Sequence, residues 1–273
     1  MTDLVIVIVS YNTRAHLEAC LRSLRAPPPH ATHQVVVVDN GSADGSAEAV
    51  RAGWPDVRVI ETGANVGYAR ANNLGIRATD SDLVLLLNSD TVVPIGAVDD
   101  LVEQLRTHPD VAVVGPRLVD GDGRVELSCG HMIGPLNELR QKLRGMILAR
   151  NIPLFAPWVA RAATRPAYPD WVSGACLLVR RGDAEAAGLL DERFFLYGDD
   201  VDFCAAIRRA GRRVLFTPEV EVVHARGRSW THAPAATQTA YRRSHLAFYE
   251  KHHPAWAAAL RVYLRLRGQL PAA

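Results

Sequence analysis

The chain is predicted to be an α/β protein with a mostly parallel central sheet flanked by helices, and three features of the sequence say so. Leu83 to Leu87 are consecutive aliphatic residues, bounded by Asp80-Ser81-Asp82 and Asn88-Ser89-Asp90. A run that short, with no polar face, reads as a strand buried on both sides, as in parallel sheets covered by helices. Leu4 to Val9 and Val35 to Val38 repeat the pattern. Between these runs apolar residues recur at helical spacing and the links are short, so strand and helix alternate with right-handed crossovers. Open sheets of this kind bind ligands beyond the carboxyl ends of their strands. The polar residues that follow each run are therefore the first candidates for function.

In chain order, the strand Leu4 to Val9 ends in Ser10-Tyr11-Asn12. A helix with Leu17, Cys20, Leu21 and Leu24 on one face follows, with Asn12 or Thr13 able to cap it, and stops at Pro27-Pro28-Pro29. Val35 to Val38 runs into the polar turn Asp39-Asn40-Gly41-Ser42-Ala43-Asp44-Gly45-Ser46, which opens a second helix. A third strand, Val57 to Ile60, precedes the loop Asn65-Val66-Gly67-Tyr68-Ala69-Arg70-Ala71-Asn72-Asn73 and its helix. After Leu83 to Leu87 come a helix from about Gly96 to Arg106 and a strand from Val111 to Val114. Leu118 to Val125 reads as a hairpin around a Gly-containing turn. From Asn137 to Ala163 the composition is helical but irregular. Trp171 to Val179 reads as one strand. The aromatic run Phe194 to Tyr197 then feeds a helix opened by Asp199-Asp200 and stopped at Gly211. Strands at Val214–Phe216 and Glu221–Val223 lead to His224, and two basic amphipathic helices meet near Pro254.

Composition narrows the classes. At 273 residues the chain can hold one large domain, or one domain with an appendage. Its 48% apolar and 22% charged residues are ordinary for a globular protein, and a net charge of +2 gives no reason to expect a nucleic-acid partner. Cys20, Cys129, Cys176 and Cys204 show no C-x-x-C spacing, which argues against a zinc or redox motif. No apolar run is long enough to span a bilayer and no basic leader precedes the first strand, so a cytoplasmic protein is expected.

Asp39, Asp90, the Asp199–Asp200 pair and His224 all fall at strand ends or helix starts. Singly each has an ordinary explanation. Asp39 could be a turn former, Asp90 a cap, Asp199 or Asp200 an N-cap, and His224 a partly buried histidine. Together they fit transfer chemistry on a nucleotide diphosphate. Asp90 with His224 could hold a divalent cation, Mn or Mg, that neutralises the leaving group, and an imidazole ligand favours Mn. Asp39 could bind a base or ribose, and Asp200 could take the proton of an incoming nucleophile. The G-x-G-x-x-G of a dehydrogenase is absent after the first strand, as is the Gly-rich basic loop of a nucleotidyltransferase.

The blocks Val9 to Asn12, Val38 to Ser46, Asn65 to Asn73, Leu87 to Asp90, Val172 to Ala175, Phe194 to Asp202 and Val223-His224 resemble glycosyltransferase family 2. In particular they are similar to its bacterial rhamnosyltransferase-like branch, and the likeness covers residues 4–127 and 170–230. The resemblance implies the Rossmann-like GT-A fold and an inverting, metal-dependent transfer of a sugar to a hydroxyl. It implies a donor pocket made by Ser10, Tyr11, Asn12, Asp39, Asn65, Gly67, Tyr68, Arg70, Asn73, Asn88, Ser89 and Asp90. By position Asp90 and His224 match the metal ligands and Asp200 the catalytic base, while Trp171, Ser173, Gly174 and Asp199 shape the acceptor side. Asn88 stands where the family often has Asp, and Asp199 where Glu is usual, so two carboxylates compete for the acceptor face. Arg226 and Arg228 are candidates for the diphosphate.

The expected partners are a nucleotide-diphosphate sugar, with dTDP-rhamnose the first choice, and a glycan or polyprenyl-linked acceptor of cell-surface polysaccharide synthesis. A UDP-hexose or UDP-galactofuranose donor, and a non-catalytic sugar-nucleotide binder, stay open. The chain is expected to be one domain, 1–236, with a basic helical tail, 237–273, and the resemblance divides that domain into a nucleotide-sugar half, 1–127, and an acceptor half, 128–236. Arg261, Arg265 and Arg267 beside Trp256, Leu260, Tyr263 and Leu264 fit docking on an anionic membrane, and equally closure of the core or of a homodimer.

Overall fold

A computed structural model describes residues 2–25, 27–149, 164–225 and 234–271. The first half follows the predicted alternation: β1 (Thr2–Ser10), α1 (Arg14–Ser23), β2 (His33–Asp39), α2 (Ser46–Gly53), β3 (Arg58–Glu61), α3 (Tyr68–Arg77) and β4 (Ser81–Asn88). Next come β5 (Thr91–Val92), α4 (Ala97–Thr107), β6 (Val111–Val119), β7 (Cys129–Gly130) and α5 (Pro135–Ala149). The second half holds β8 (Trp171–Val172), β9 (Cys176–Arg180), α6 (Arg181–Ala186), α7 (Asp199–Arg209), β10 (Arg213–His224), α8 (Pro234–His252) and α9 (Pro254–Leu266).

Eight strands form one sheet in the order β3-β2-β1-β4-β9-β6-β10-β5. The β2–β3, β1–β2, β1–β4 and β6–β10 pairs are parallel; β9 runs antiparallel to both its neighbours, and β5 antiparallel to β10. The sheet is thus mostly parallel, as expected, with one reversed strand at its centre.

Alternate residues of each central strand face opposite layers. Leu4, Ile6, Ile8, Leu85 and Leu87 pack with Leu17, Leu21, Leu101 and Leu105 from α1 and α4. Val5, Val7, Val84 and Leu86 pack with Ile76 of α3, Phe203 and Ile207 of α7 and Phe248 of α8. Each fully buried Leu or Ile contributes about 1.5–3 kcal/mol relative to exposure.

Two readings of the sequence change. The expected strand from Trp171 to Val179 is broken: β8 leaves for a small antiparallel pair with β7, and β9 joins the main sheet. The break at Ser173–Gly174 is fixed from outside, because Ser173 N–H donates to Ser128 O and Gly174 N–H to Asp200 Oδ2. Conversely, the two strands expected before His224 are one, β10, with a register shift between Thr217 and Glu221. The Leu118–Val125 hairpin forms as a tight turn, closed by Gly123 N–H to Asp120 O and a single Val119–Val125 bridge. Of the irregular stretch after Asn137, the helix ends with α5, and residues 150–163 lie outside the described part.

Candidate active site

Strand register places the first group of polar residues. Ser10 is opposite Asp39 in the β1–β2 pair, and Val9 is opposite Asn88 in the β1–β4 pair. Asp39, Ser10 and Asn88 thus stand in a row along the carboxyl edge of the sheet. The loops above them are tied together by side chains. Asn12, in the left-handed region at φ 53°, accepts from Ala43 N–H, and its own N–H donates to Ser42 Oγ. Asn40 accepts from Val66 N–H and donates to Asn65 Oδ1, which holds the loop before α3. Thr13 does not cap α1 with its side chain; its hydroxyl bonds Ser10 and Ser89 instead. Asp39 is buried, and while its Oδ1 accepts from Ser42 N–H, its Oδ2 is buried with no hydrogen-bond partner. An orphaned buried carboxylate oxygen is costly.

Asp90 and His224 come together from different strands. His224 Nε2 lies 3.3 Å from Asp90 Oδ1, and Ala225 N–H donates to Asp90 O, locking the two segments. Asn88 Nδ2 reaches to 3.4 Å of the same Nε2. The other ring nitrogen, Nδ1, is 3.0 Å from Glu126 Oε2. Burial alone would lower the His224 value, but its hydrogen bonds to Asp90 and Glu126 outweigh this and raise it to about 9. Burial likewise pushes Asp90 up, and the His224 hydrogen bond overcomes it and holds the carboxyl below its ordinary value. Glu126 has no place in the sequence reading. Its only signal is an acidic residue in the apolar alternation Val125-Glu126-Leu127, directly after the hairpin turn.

The third group is assembled at the start of α7. Gly198, at φ 81°, occupies the N-cap position, so neither Asp199 nor Asp200 is the N-cap residue, contrary to expectation. Asp200 Oδ2 accepts from Gly174 N–H at 2.9 Å and Oδ1 from Val201 N–H at 2.8 Å. Tyr68 O–H donates to Gly174 O at 2.9 Å, and Asn88 N–H to Ala175 O at 2.9 Å. One short strand break thereby links Tyr68, Asp200 and the Asn88–Asp90 tip. Asp199 is buried, and burial, followed by the charge of Asp200, drives its carboxyl well above the ordinary range. Asp200 is only partly buried; burial raises it too, opposed by the two backbone N–H donors.

Other expected site residues are placed elsewhere. Asn73 is buried and bonded to Leu190 N–H and O and to Glu192, a strut between α3 and the loop before Phe194. Trp171 is buried with its indole N–H on His131 O. Arg70 is exposed and faces Glu192 at 3.9 Å. Tyr11 is half exposed beside the Ser10 edge. Ser173 Oγ accepts from Ala175 N–H within the strand break, and Ser89 and Asn65 act through the loop bonds above. Arg226 and Arg228 lie outside the described residues.

A sequence profile described as Glycosyl transferase family 2 matches residues 5–161. The N-acetylglucosaminyl-diphospho-decaprenol L-rhamnosyltransferase of Mycobacterium tuberculosis is 33% identical over 97% of this chain and 90% of its own length. The chain belongs to glycosyltransferase family 2. This family 2 glycosyltransferase also shares its fold with solved enzymes. One is the mannosyltransferase PcManGT from Pyrobaculum calidifontis, determined with GDP-Man and Mn2+, at a TM-score of 0.63 and 20% identity over 95% of this chain and 70% of that one. Another is GalNAc-T7, determined with UDP, GalNAc and Mn2+, at 0.60 and 17% over 82% and 43%. Among the described residues, no helix of the glycosyltransferase is long and apolar enough to cross a membrane. Nor, among them, does a group of three or more His, Cys, Asp or Glu offer a complete metal site.

Proposed function

We propose that this family 2 glycosyltransferase inverts the anomeric centre of a nucleotide-diphosphate sugar, with dTDP-L-rhamnose the first choice, onto a hydroxyl of a lipid-linked glycan. The carrying observation is the convergence on one side of the sheet edge of Asp39, the Asp90–His224 pair and Asp200, linked through Gly174 and Asn88. Asp39 Oδ2, buried and unpartnered, is suited to accept from a nucleobase or ribose.

The donor set fits a divalent cation in part. Asp90 Oδ1 and His224 Nε2 face each other, and Glu126 on Nδ1 is the outer carboxylate that typically orients a ligating histidine. Two side chains are an incomplete shell, which a diphosphate would complete. When bound, such a cation supplies charge neutralisation for the leaving diphosphate.

The chain's own part is acid–base and positional. The acceptor oxygen attacks the anomeric carbon, the bond to the diphosphate oxygen breaks, and the acceptor proton passes to Asp200. Its carboxylate is aimed by the Gly174 and Val201 amides, which leave lone pairs on both oxygens for that proton. A single base, with Asp199 buried behind it, supports one displacement and therefore inversion.

The M. tuberculosis relative's name specifies a rhamnosyl donor and a GlcNAc-diphospho-decaprenol acceptor, and its identity over most of both chains supports the same class here. The reading keeps residues 1–127 as the nucleotide-sugar half and 128–236 as the acceptor half. It places the enzyme on the cytoplasmic face of the membrane, with Trp256, Tyr263 and Leu266 of α9 exposed toward an anionic surface.

Release of nucleoside diphosphate from a panel of sugar nucleotides with Mn2+, wild type against Asp200→Asn, tests the proposal. Turnover by the wild type that is lost in the variant is expected. Donor binding without turnover would instead make the chain a sugar-nucleotide binder. A larger thermal shift with uridine than with thymidine donors would overturn the rhamnose assignment.

A further inference from the structure

Tyr68, the first residue of α3, holds the surroundings of Asp200 at two points. The opening N–H groups of a helix have no partner within it, and Tyr68 N–H finds one outside, Phe195 O at 2.8 Å, in the loop that leads into α7. Its hydroxyl donates to Gly174 O at 2.9 Å, and Gly174 N–H in turn donates to Asp200 Oδ2 at 2.9 Å.

Gly174, the middle of this series, has little room to shift. It is buried, and a Cβ added to it would lie 3.3 Å from Asp200 Cβ and 3.7 Å from the Tyr68 ring. Its flanks are held as well, by Ser173 N–H on Ser128 O and by Asn88 N–H on Ala175 O. The bonds continue toward the Asp39 edge. Asn40 accepts from Val66 N–H and donates to Asn65 Oδ1, which fixes the loop from which Tyr68 emerges.

We infer that Tyr68 is a positioning residue for Asp200: its hydroxyl pins the Gly174 carbonyl, and the amide of that same glycine aims the base. The assignment rests on the transferase reading above for what Asp200 does. It gives Tyr68 a role other than lining the donor pocket, the place that the family resemblance implies. A phenol has one proton to donate, and here it goes to a backbone carbonyl. Burial, followed by the charge of Asp199, holds that phenol well above its ordinary 10.0, so it remains a donor at neutral pH.

Among the described residues, the ionisable groups around Asp200 are Asp199 and Cys204 on α7 and Tyr68 on α3, all three raised by burial. Asp202, on the same helix, is engaged by Lys251 and His252. The Gly174 amide is the first of the donors that oppose burial at Asp200 and lower its carboxyl. Loosening Gly174 therefore lets that carboxyl rise.

The test compares the full-length wild type with Tyr68→Phe, which keeps the ring and removes only the hydroxyl. With dTDP-L-rhamnose and a GlcNAc diphosphate alkyl ester, kcat is expected to fall about 3–10-fold, the scale of one hydrogen bond, with both KM values unmoved. In 13C NMR of the aspartate carboxyls, the Asp200 signal is identified by its absence in Asp200→Asn. Its titration is expected to move to higher pH in Tyr68→Phe, and the acid limb of kcat with it.

A raised donor KM with kcat unchanged overturns the inference and returns Tyr68 to the donor pocket. An Asp200 titration that stays in place overturns it too, and a lower melting temperature beside it would make the hydroxyl a purely structural bond. The titration needs no substrate. If the wild type releases no nucleoside diphosphate while the Asp200 signal still moves in the variant, the positioning stands and the transferase reading fails.

Discussion

Asp199 and Asp200 are adjacent, chemically identical and both in the first turn of α7, yet their surroundings differ. Asp199 is buried, so its charged form is disfavoured, and the neighbouring charge adds to this. Asp200 reaches a partly open position and is oriented by two amides. Replacing Asp200 by Asn should cut kcat about 10²–10⁴-fold, the usual range for a general base. Asp199→Asn, close in shape to a neutral acid, should keep kcat within a few-fold; single-turnover rates with a matched donor and acceptor would separate the two. A collapse in the Asp199 variant with kcat kept in the Asp200 variant would reverse the assignment. Glu126 makes a different prediction. If it orients His224, Glu126→Gln should raise the Mn2+ concentration needed for half-maximal nucleoside diphosphate release about 10-fold or more, with the fold intact by circular dichroism. Neither the Asp200 orientation nor Glu126 was legible in the sequence. Gly174 and Asp200 are 26 residues apart, and Glu126 and His224 are 98 apart, so no local pattern connects them.

At the scale of the element, the short buried runs announced themselves, because a strand covered on both faces has no choice but to be apolar. A central residue such as Leu85, fully buried between α-helical layers, should cost about 2–5 kcal/mol as Ala, measurable by denaturant unfolding. The loop that enters α3 was legible as a loop but not as a joint. Gly67, at φ 90°, brings its backbone so near Phe195 that an added Cβ would sit 2.9 Å from the ring, while Tyr68 N–H donates to Phe195 O. Gly67→Ala should destabilise by about 1–3 kcal/mol through backbone strain alone, with the contact adding to it, and thermal unfolding would reveal it. The strand break at Gly174 was misread for the same reason that the joint was missed. Trp171 to Val179 is apolar on both sides of Ser173-Gly174, which read as an interruption too short to end the strand, and the partners that split it come from Ser128 and Asp200.

For the whole molecule, α8 is the clamp between the halves of the second part of the chain. Lys251 Nζ bonds Asp191 at 2.7 Å and Asp202 at 2.8 Å, His252 bonds Asp202 at 2.6 Å, and His253 reaches Ile133 O. Phe248 is fully buried against Phe194 beneath these contacts. Burial would raise the Asp191 carboxyl, but Lys251 and Arg193 outweigh it and hold it below its ordinary 3.8. A depressed carboxylate contributes stability that is complete above 3.8 and is lost as pH falls through the folded-state value. Melting temperatures measured from pH 7 downward should therefore drop in the acid range below about pH 4, and Lys251→Met should remove part of that drop while lowering stability at neutral pH. An acid profile identical in wild type and variant would show that the clamp carries none of it.

The sequence by itself determined the layer architecture, the parallel pairing of the first four strands and the stations of Asp39, Asp90, Asp200 and His224. Each of these depends on residues that are neighbours in the chain: an apolar run, the turn that ends it and the polar group placed there. Only the tertiary structure decided that β9 runs backwards through the sheet's centre, that Glu126 backs His224, and that α5 and α8 line a cavity reaching Gly198 at the start of α7. Those features are made by contacts between segments far apart in the chain. Their energies depend on which surfaces meet, and residue order along one strand or helix carries no record of that.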